Sequence, residues 1–224
     1  MSAEMPSPLA ESVLAEAAGT LPAPLASSLA GVMEQLAAVD VAVFKAIEDQ
    51  PASVLDRPLR ALSRSANRSF VWAVIAALVA SAGGPSGRRA AFRGLASIGA
   101  ASILVNLGLK SFLRRNRPSR SRRQHLTHRH VRMPASPSFP SGHSASGFAF
   151  ATAVGMEMPV MAFPLLGLAS AVAYSRVHTG VHYPGDAIFG SLVGVATGLA
   201  VSRGMRWLAE HDQAPEAPSG ASRD

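Results

Sequence analysis

Five stretches of this sequence pass without a charged side chain: Ser69 to Gly87, Gly94 to Leu109, Met133 to Met156, Met158 to Ser175 and Ala187 to Ser202. Inside them apolar residues fall on every face, as in Phe70 to Ala80 (FVWAVIAALVA) and Ile188 to Val201 (IFGSLVGVATGLAV). No polar face recurs at helical spacing, which is the pattern of helices immersed in lipid. A helix rises about 1.5 Å per residue and the hydrocarbon core is about 30 Å thick, so about 20 residues are needed to cross it. The two stretches of 16 residues reach that length with their flanks, where Arg93 and Lys110 can extend their charges to the interface. The pattern predicts an all-α, multi-pass transmembrane bundle of about five spans. Gly190, Gly194 and Gly198 recur every fourth residue and form one stripe on which another helix can approach closely.

The ends are polar. Residues 1–39 read as an acidic, partly disordered tail rich in Pro, Ala and Ser, residues 40–207 as the membrane domain, and residues 208–224 as a disordered tail. Val41 to Ile47 begins an amphipathic helix, with Asp40 as its cap and Pro51 closing it off, expected to lie on the membrane surface.

Composition supports a non-aqueous surrounding, since charged residues make up 16 % of the chain against a usual quarter. The absence of cysteine excludes disulfides, thiolate metal sites and cysteine nucleophiles. The net charge of +7 is unevenly spread: Arg57 to Met156 holds 16 of the 21 Lys and Arg and no acid. Such a stretch points to a phosphate-rich partner: nucleic acid, anionic lipid or a phosphorylated substrate. Arg114, Arg115, Arg120, Arg122 and Arg123 have no interleaved aromatic before Phe139. Membrane lipid headgroups or the substrate are therefore the expected partners, and nucleic acid is not. His125, His128 and His130 share that loop, Arg114 to Phe139, without carboxylate or thiolate company, so no metal is expected there and the loop reads as a flexible lid.

Polar groups break the apolar pattern in three places on one side of the bundle. In Lys110-Ser-Phe-Leu-Arg-Arg-Asn-Arg117-Pro118, a helix continued through Arg117 would put Lys110 and Arg117 on one face, with Pro118 ending it. Phe139-Pro140-Ser141-Gly142-His143 opens an apolar segment, where backbone N–H groups at Ser141 and Gly142 can receive an anion. In Ser175-Arg176-Val177-His178-Thr179-Gly180-Val181-His182-Tyr183-Pro184-Gly185-Asp186, His182 and Asp186 can sit one turn apart. A carboxylate on one ring nitrogen leaves the other with its lone pair, which makes His182 a nucleophile or a base. His178 is read as making a structural hydrogen bond. Lys110, Arg117 and Arg176 supply positive charge and the helix start supplies directed donors, so the set is suited to phosphoryl transfer. No carboxylate cluster accompanies it, so no metal or other cofactor is expected.

Lys-x6-Arg-Pro, Pro-Ser-Gly-His and Ser-Arg-x5-His-x3-Asp, in this order, resemble the three signature motifs of the type 2 phosphatidic acid phosphatase superfamily, over about Leu59 to Met205. The chain also resembles the phosphatase half of actinobacterial proteins that join such a domain to a diacylglycerol kinase. The framework is similar to that of vanadium-dependent haloperoxidases, which are soluble and larger. The resemblance implies an integral membrane enzyme that hydrolyses lipid phosphate monoesters or diphosphates: phosphatidic acid, phosphatidylglycerol phosphate or polyprenyl phosphates. It implies that His182 attacks phosphorus to form a phosphohistidine and that Asp186 orients it. His143 would protonate the leaving group, while Lys110, Arg117, Ser141, Gly142 and Arg176 hold the phosphate. The alternative is a catalytically silent membrane protein that binds an anionic lipid in the same pocket.

Two arguments collide over which face of the membrane carries the site. With five spans the motif side has 14 basic residues against 5 on the other, terminal regions excluded, which places the motifs in the cytoplasm. Most relatives implied by the resemblance act on the outer face, and the extracytoplasmic side is the one expected.

Overall fold

The computed structural model describes residues 23–120 and 129–211. Among them it contains seven helices and no strand: α1 Ala23–Glu48, α2 Asp56–Ser65, α3 Phe70–Ala82, α4 Gly84–Phe112, α5 Gly142–Glu157, α6 Pro159–His178 and α7 Pro184–His211. The expectation of an all-α bundle holds. The expectations for residues 1–22, 121–128 and 212–224, among them His125, His128, Arg122 and Arg123, lie outside the described residues.

Every charge-free stretch contains a helix. By length and composition α4, α6 and α7 are able to cross a membrane, and α2 with α3, bent by 73°, would make a fourth span. Helix α5 is shorter, 16 residues or about 24 Å, and lies at the centre, packed against α4, α6 and α7. Its composition explains the placement. Gly, Ser and Ala recur around its whole circumference, so three neighbours can approach at once. A methyl group on Gly94 would meet the Phe150 ring at 2.7 Å, and one on Gly147 the Trp72 ring at 2.8 Å. Trp72 and Phe150 are themselves fully buried, with ring centroids 5.4 Å apart. Large apolar side chains such as Phe70, Leu78, Phe92, Leu107, Phe163, Ile188 and Leu192 point outward instead. That is the surface of a membrane protein.

The glycine stripe of α7 faces α5. Methyl groups on Gly190, Gly194 and Gly198 would lie 2.5, 2.4 and 2.7 Å from the carbonyl oxygens of Ser141, Ala145 and Ala149. The two backbones are therefore in direct contact along three turns, beginning at the residue that opens α5. At the far end of α5, Glu157 receives Arg89 at 2.7 Å and also pairs with Arg93.

Helix α1 departs from the expected short amphipathic segment. It runs from Ala23, so Asp40 lies within it and is not its cap. The carboxylate bonds across the molecule to α7 and to the loop after α4. The end of α1 is held by Arg129, whose guanidinium donates to the carbonyls of Ile47, Gln50 and Pro51 at 3.2, 2.9 and 2.6 Å. The same side chain pairs with the buried Asp56 at 2.9 Å. His178 Nε2 lies 2.9 Å from that carboxylate, the structural hydrogen bond expected of it.

Candidate active site

All three motifs converge at the end of the bundle where α5 and α7 begin and α4 and α6 finish. Asp186 occupies the first turn of α7 and is completely buried. Its Oδ2 lies 3.3 Å from His182 Nδ1 and accepts the Tyr183 N–H at 2.9 Å. The i,i+4 spacing and the helix start at Pro184 set this pairing, as the sequence suggests. With the carboxylate on Nδ1, the proton resides there and Nε2 keeps its lone pair. Arg117 Nη1 lies 3.3 Å from Nε2, a donor placed against that lone pair. Burial pushes the His182 imidazole down to about 4, against the opposing pull of Asp186. At neutral pH it is an uncharged imidazole with a lone pair on Nε2.

The cations arrive by a route other than the one expected. The α-helix does not persist to Arg117: α4 widens into π-helical turns over Leu104–Leu109 and ends at Phe112. Such widening re-aims the residues that follow it, here Lys110. Arg117 stands in the loop beyond and reaches back. Its Nε donates to Ser136 O at 2.8 Å, Nη2 to Ser136 Oγ at 3.2 Å and Nη1 to Val181 O at 2.7 Å. Lys110 Nζ donates to the same Ser136 hydroxyl at 3.4 Å. The two cations meet through a shared partner on the loop and not along a helix face. Arg176, at the end of α6, is 1 % exposed, with Nη1 bonded to Ser63 Oγ at 2.6 Å and Ser63 O at 3.1 Å. Its Nε is buried without a partner, a directed donor left over.

The start of α5 is capped by Ser141, whose Oγ accepts the Ser144 N–H at 3.4 Å. One sequence reading needs correction. The Ser141 N–H donates to Asp186 O at 3.0 Å and is not available to an anion. The N–H groups of Gly142 and His143, in the first turn, have no intrahelical acceptor and are the donors left open there. Lys110 Nζ lies 4.0 Å from the place a Gly142 methyl would occupy, so the ammonium faces this turn. His143 Nε2 meets Asn67 Oδ1 at 3.0 Å. Asn67 lies in the bend between α2 and α3, next to Ser69, whose φ is 58°.

Asn67, Ser136 and Arg115 escaped sequence reasoning. The sequence groups Arg115 with the loop arginines expected to meet lipid headgroups or the substrate, and the structure turns it inward. One Nη1 lies 2.7 Å from Asp40 and 3.0 Å from Asp186, and the guanidinium stacks over Tyr183. Burial opposes the charge, yet the two carboxylates hold Arg115 above its ordinary range. Arg120 also serves the fold, donating to Gly180 O at 3.0 Å and Val131 O at 2.8 Å, whereas Arg114 is exposed. The signal for Arg115 was available: in a stretch without acids, its partner had to come from a distant part of the chain.

Among the described residues no three His, Cys, Asp or Glu side chains converge as metal ligands. The site instead pairs one uncharged, oriented imidazole with three cations and a helix start. Such a constellation can accept a tetrahedral anion and deliver a nitrogen lone pair to its centre.

Comparison with known proteins shows the family and the fold. A family model described as PAP2 superfamily matches residues 91–210. The decaprenylphosphoryl-5-phosphoribose phosphatase of Mycobacterium tuberculosis, in strains CDC 1551 / Oshkosh and H37Rv, is 32 % identical over 168 residues, covering 73 % of this chain and 87 % of that protein. Two solved structures share the fold. A transmembrane PAP2 type phosphatidylglycerolphosphate phosphatase from Bacillus subtilis gives a TM-score of 0.61 at 21 % identity, over 78 % of this chain and 87 % of the other. LpxE of Aquifex aeolicus gives 0.60 at 22 % identity, over 74 % and 95 %.

Proposed function

The chain belongs to the PAP2 superfamily, and on that premise we propose that it is a metal-independent membrane phosphatase acting on a lipid phosphate monoester or diphosphate through a phosphohistidine. The observation that carries the reading is His182, held by a buried carboxylate on Nδ1 while Arg117 stands at Nε2. A phosphoryl oxygen that binds this guanidinium arrives in front of the attacking lone pair. Binding alone has no need of an oriented imidazole, so the silent lipid-binding alternative is disfavoured.

In the first step His182 Nε2 bonds to phosphorus as the bond from phosphorus to the alkoxy oxygen breaks. His143, protonated once the anionic substrate is seated beside it, gives that proton to the departing oxygen and is left as neutral imidazole. In the second step His143 takes a proton from water, the hydroxide oxygen bonds to phosphorus, and the N–P bond breaks to release phosphate. Arg117, Lys110 and Arg176, with the first-turn N–H groups of α5, hold the equatorial oxygens throughout. Asp186 stabilises the cationic imidazole ring of the intermediate. The name of the mycobacterial relative, a phosphatase of a polyprenyl-linked ribose phosphate, favours a polyprenyl-linked phosphate monoester as substrate, and we propose that the site faces the extracytoplasmic side, as the family resemblance implies.

The test is release of phosphate by detergent-solubilised protein from a panel containing phosphatidic acid, phosphatidylglycerol phosphate and polyprenyl phosphates. His182→Ala is expected to abolish release and the trapping of a phosphoenzyme. Undiminished release by that variant would remove His182 from the mechanism.

A further inference from the structure

Helix α1 reaches the edge of the site with one carboxylate. Asp40 Oδ1 accepts the Gly185 N–H at 2.6 Å, and Oδ2 pairs with Arg115 Nη1 at 2.7 Å. That same nitrogen lies 3.0 Å from Asp186 Oδ1. The contact is braced by aromatic packing, since Arg115 lies 4.1 Å from the centroid of Tyr183 and Tyr183 meets Phe44 of α1 edge-on at 5.3 Å. One guanidinium nitrogen is thus shared between a carboxylate that serves the reaction and one that does not.

We infer that Asp40 is a positioning residue for the His182–Asp186 pair: it draws Arg115 partly away from Asp186 and keeps that carboxylate's charge available to the imidazole. The inference rests on the phosphohistidine reading above. Asp186 Oδ2 serves the Tyr183 N–H and His182 Nδ1, and Oδ1 serves Arg115. With Asp186 fully buried, these charges are only weakly screened. Asp40, Arg115 and Asp186 together carry one negative charge. Without Asp40 the remaining pair is neutral, and His182 loses the field that favours its cationic form. The other groups facing His182 are Arg117 and Arg176, with Lys110 and His143 across the site. Most of them are cations, so Asp186 and Asp40 supply the balancing charge.

Two substitutions change this charge in opposite directions. Asp40→Asn preserves shape and an acceptor for the Gly185 N–H while making the trio neutral. Arg115→Gln makes it doubly negative, and the double variant returns it to a single negative charge. The acid limb of kcat/KM, which reports the free enzyme, is expected to move down by about half a unit or more in Asp40→Asn and up by a similar amount in Arg115→Gln. It should return close to the wild-type position in the double variant. Turnover by Asp40→Asn should fall about tenfold with KM within about twofold, in protein whose circular dichroism and elution volume match wild type.

Limbs that stay in place, or move the same way in both single variants, overturn the inference while leaving the phosphohistidine reading intact. So does a rise in KM at constant kcat in Arg115→Gln, which would make Arg115 a phosphate ligand. If Asp40→Asn does not fold, the direction of the Arg115→Gln limb decides. Full activity in His182→Ala would overturn the phosphohistidine reading and this inference with it.

Discussion

Replacing Gly190 with alanine tests whether the helix contact that locates the site also sets its rate. The added methyl would lie 2.5 Å from the carbonyl oxygen of Ser141 and 3.2 Å from its nitrogen, where ordinary contact begins at 3.4 Å. Both atoms are committed: the carbonyl accepts Ala145 N–H, and the N–H donates to Asp186 O. Neither is the end of a flexible side chain, so the start of α5 must move by ~0.9 Å relative to α7. Overpacking of this kind costs about 1–3 kcal/mol, which outweighs the about 1 kcal/mol by which alanine is favoured over glycine within a helix. Displacement of about 1 Å between the anion-binding turn and His182 would lower turnover about 100-fold. Gly194→Ala meets Ala145 O at 2.4 Å, one turn further from the site. It should lose comparable stability and much less activity. Gly204→Ala, also within α7, has open space around it, so it should gain up to about 1 kcal/mol of stability and leave activity unchanged. Phosphate release and thermal unfolding in the same detergent separate the effects. Gly190→Ala with wild-type turnover, or with a Tm no lower than that of Gly204→Ala, would refute the reasoning.

His143→Ala should spare phosphoenzyme formation from substrates with good leaving groups and block hydrolysis of ordinary lipid esters, measured by comparing an aryl phosphate with a lipid phosphate. Excess chelator should leave the rate within about twofold while vanadate inhibits by imitating the transferring phosphoryl group; activity lost to chelator and restored by Mg²⁺ would contradict the site reading. Because burial lowers His182 to about 4, its imidazole is protonated and inactive only below that pH. The acid limb of kcat/KM, corrected for titration of the substrate, should therefore lie near 4 and not near 6.5, and fall further in Asp186→Asn. The chain has no cysteine, so single cysteines at Ser53 and Ser86 can be labelled in intact cells with an impermeant maleimide: labelling at Ser53 alone is expected, and labelling at Ser86 alone would place the site in the cytoplasm.

The parts of the site legible in the sequence are those fixed by short spacing. His182 and Asp186 lie one helical turn apart, and Ser141 precedes its helix by one residue, so periodicity alone relates them. The α7 glycine stripe was legible for the same reason. Lys110 and Arg117 were correctly grouped for a reason that does not hold, because the π-helical turns and the loop after Phe112 depend on packing that no seven-residue window records. Asp40, Asn67 and Ser136 were invisible as parts of the site because their partners come from distant segments. Asn67, for example, is 76 residues from His143. The reading of Asp40 as a helix cap followed local propensity, and a long-range ion pair overrode it.

The contact between Asp40 and Gly185 spans 145 residues of sequence. A ribosome adding about 5–20 residues per second needs roughly 7–30 s to cover that interval. During that time α1 has been made and has no α7 to dock against. His182 and Asp186 emerge together, late, and at the same moment as the Gly185 N–H that donates to Asp40. The nascent chain therefore acquires the His182–Asp186 pair and the anchor for α1 in a single event, when α7 enters the bundle. A chain halted before Tyr183 has neither, and on the proposed mechanism it would have no phosphatase activity.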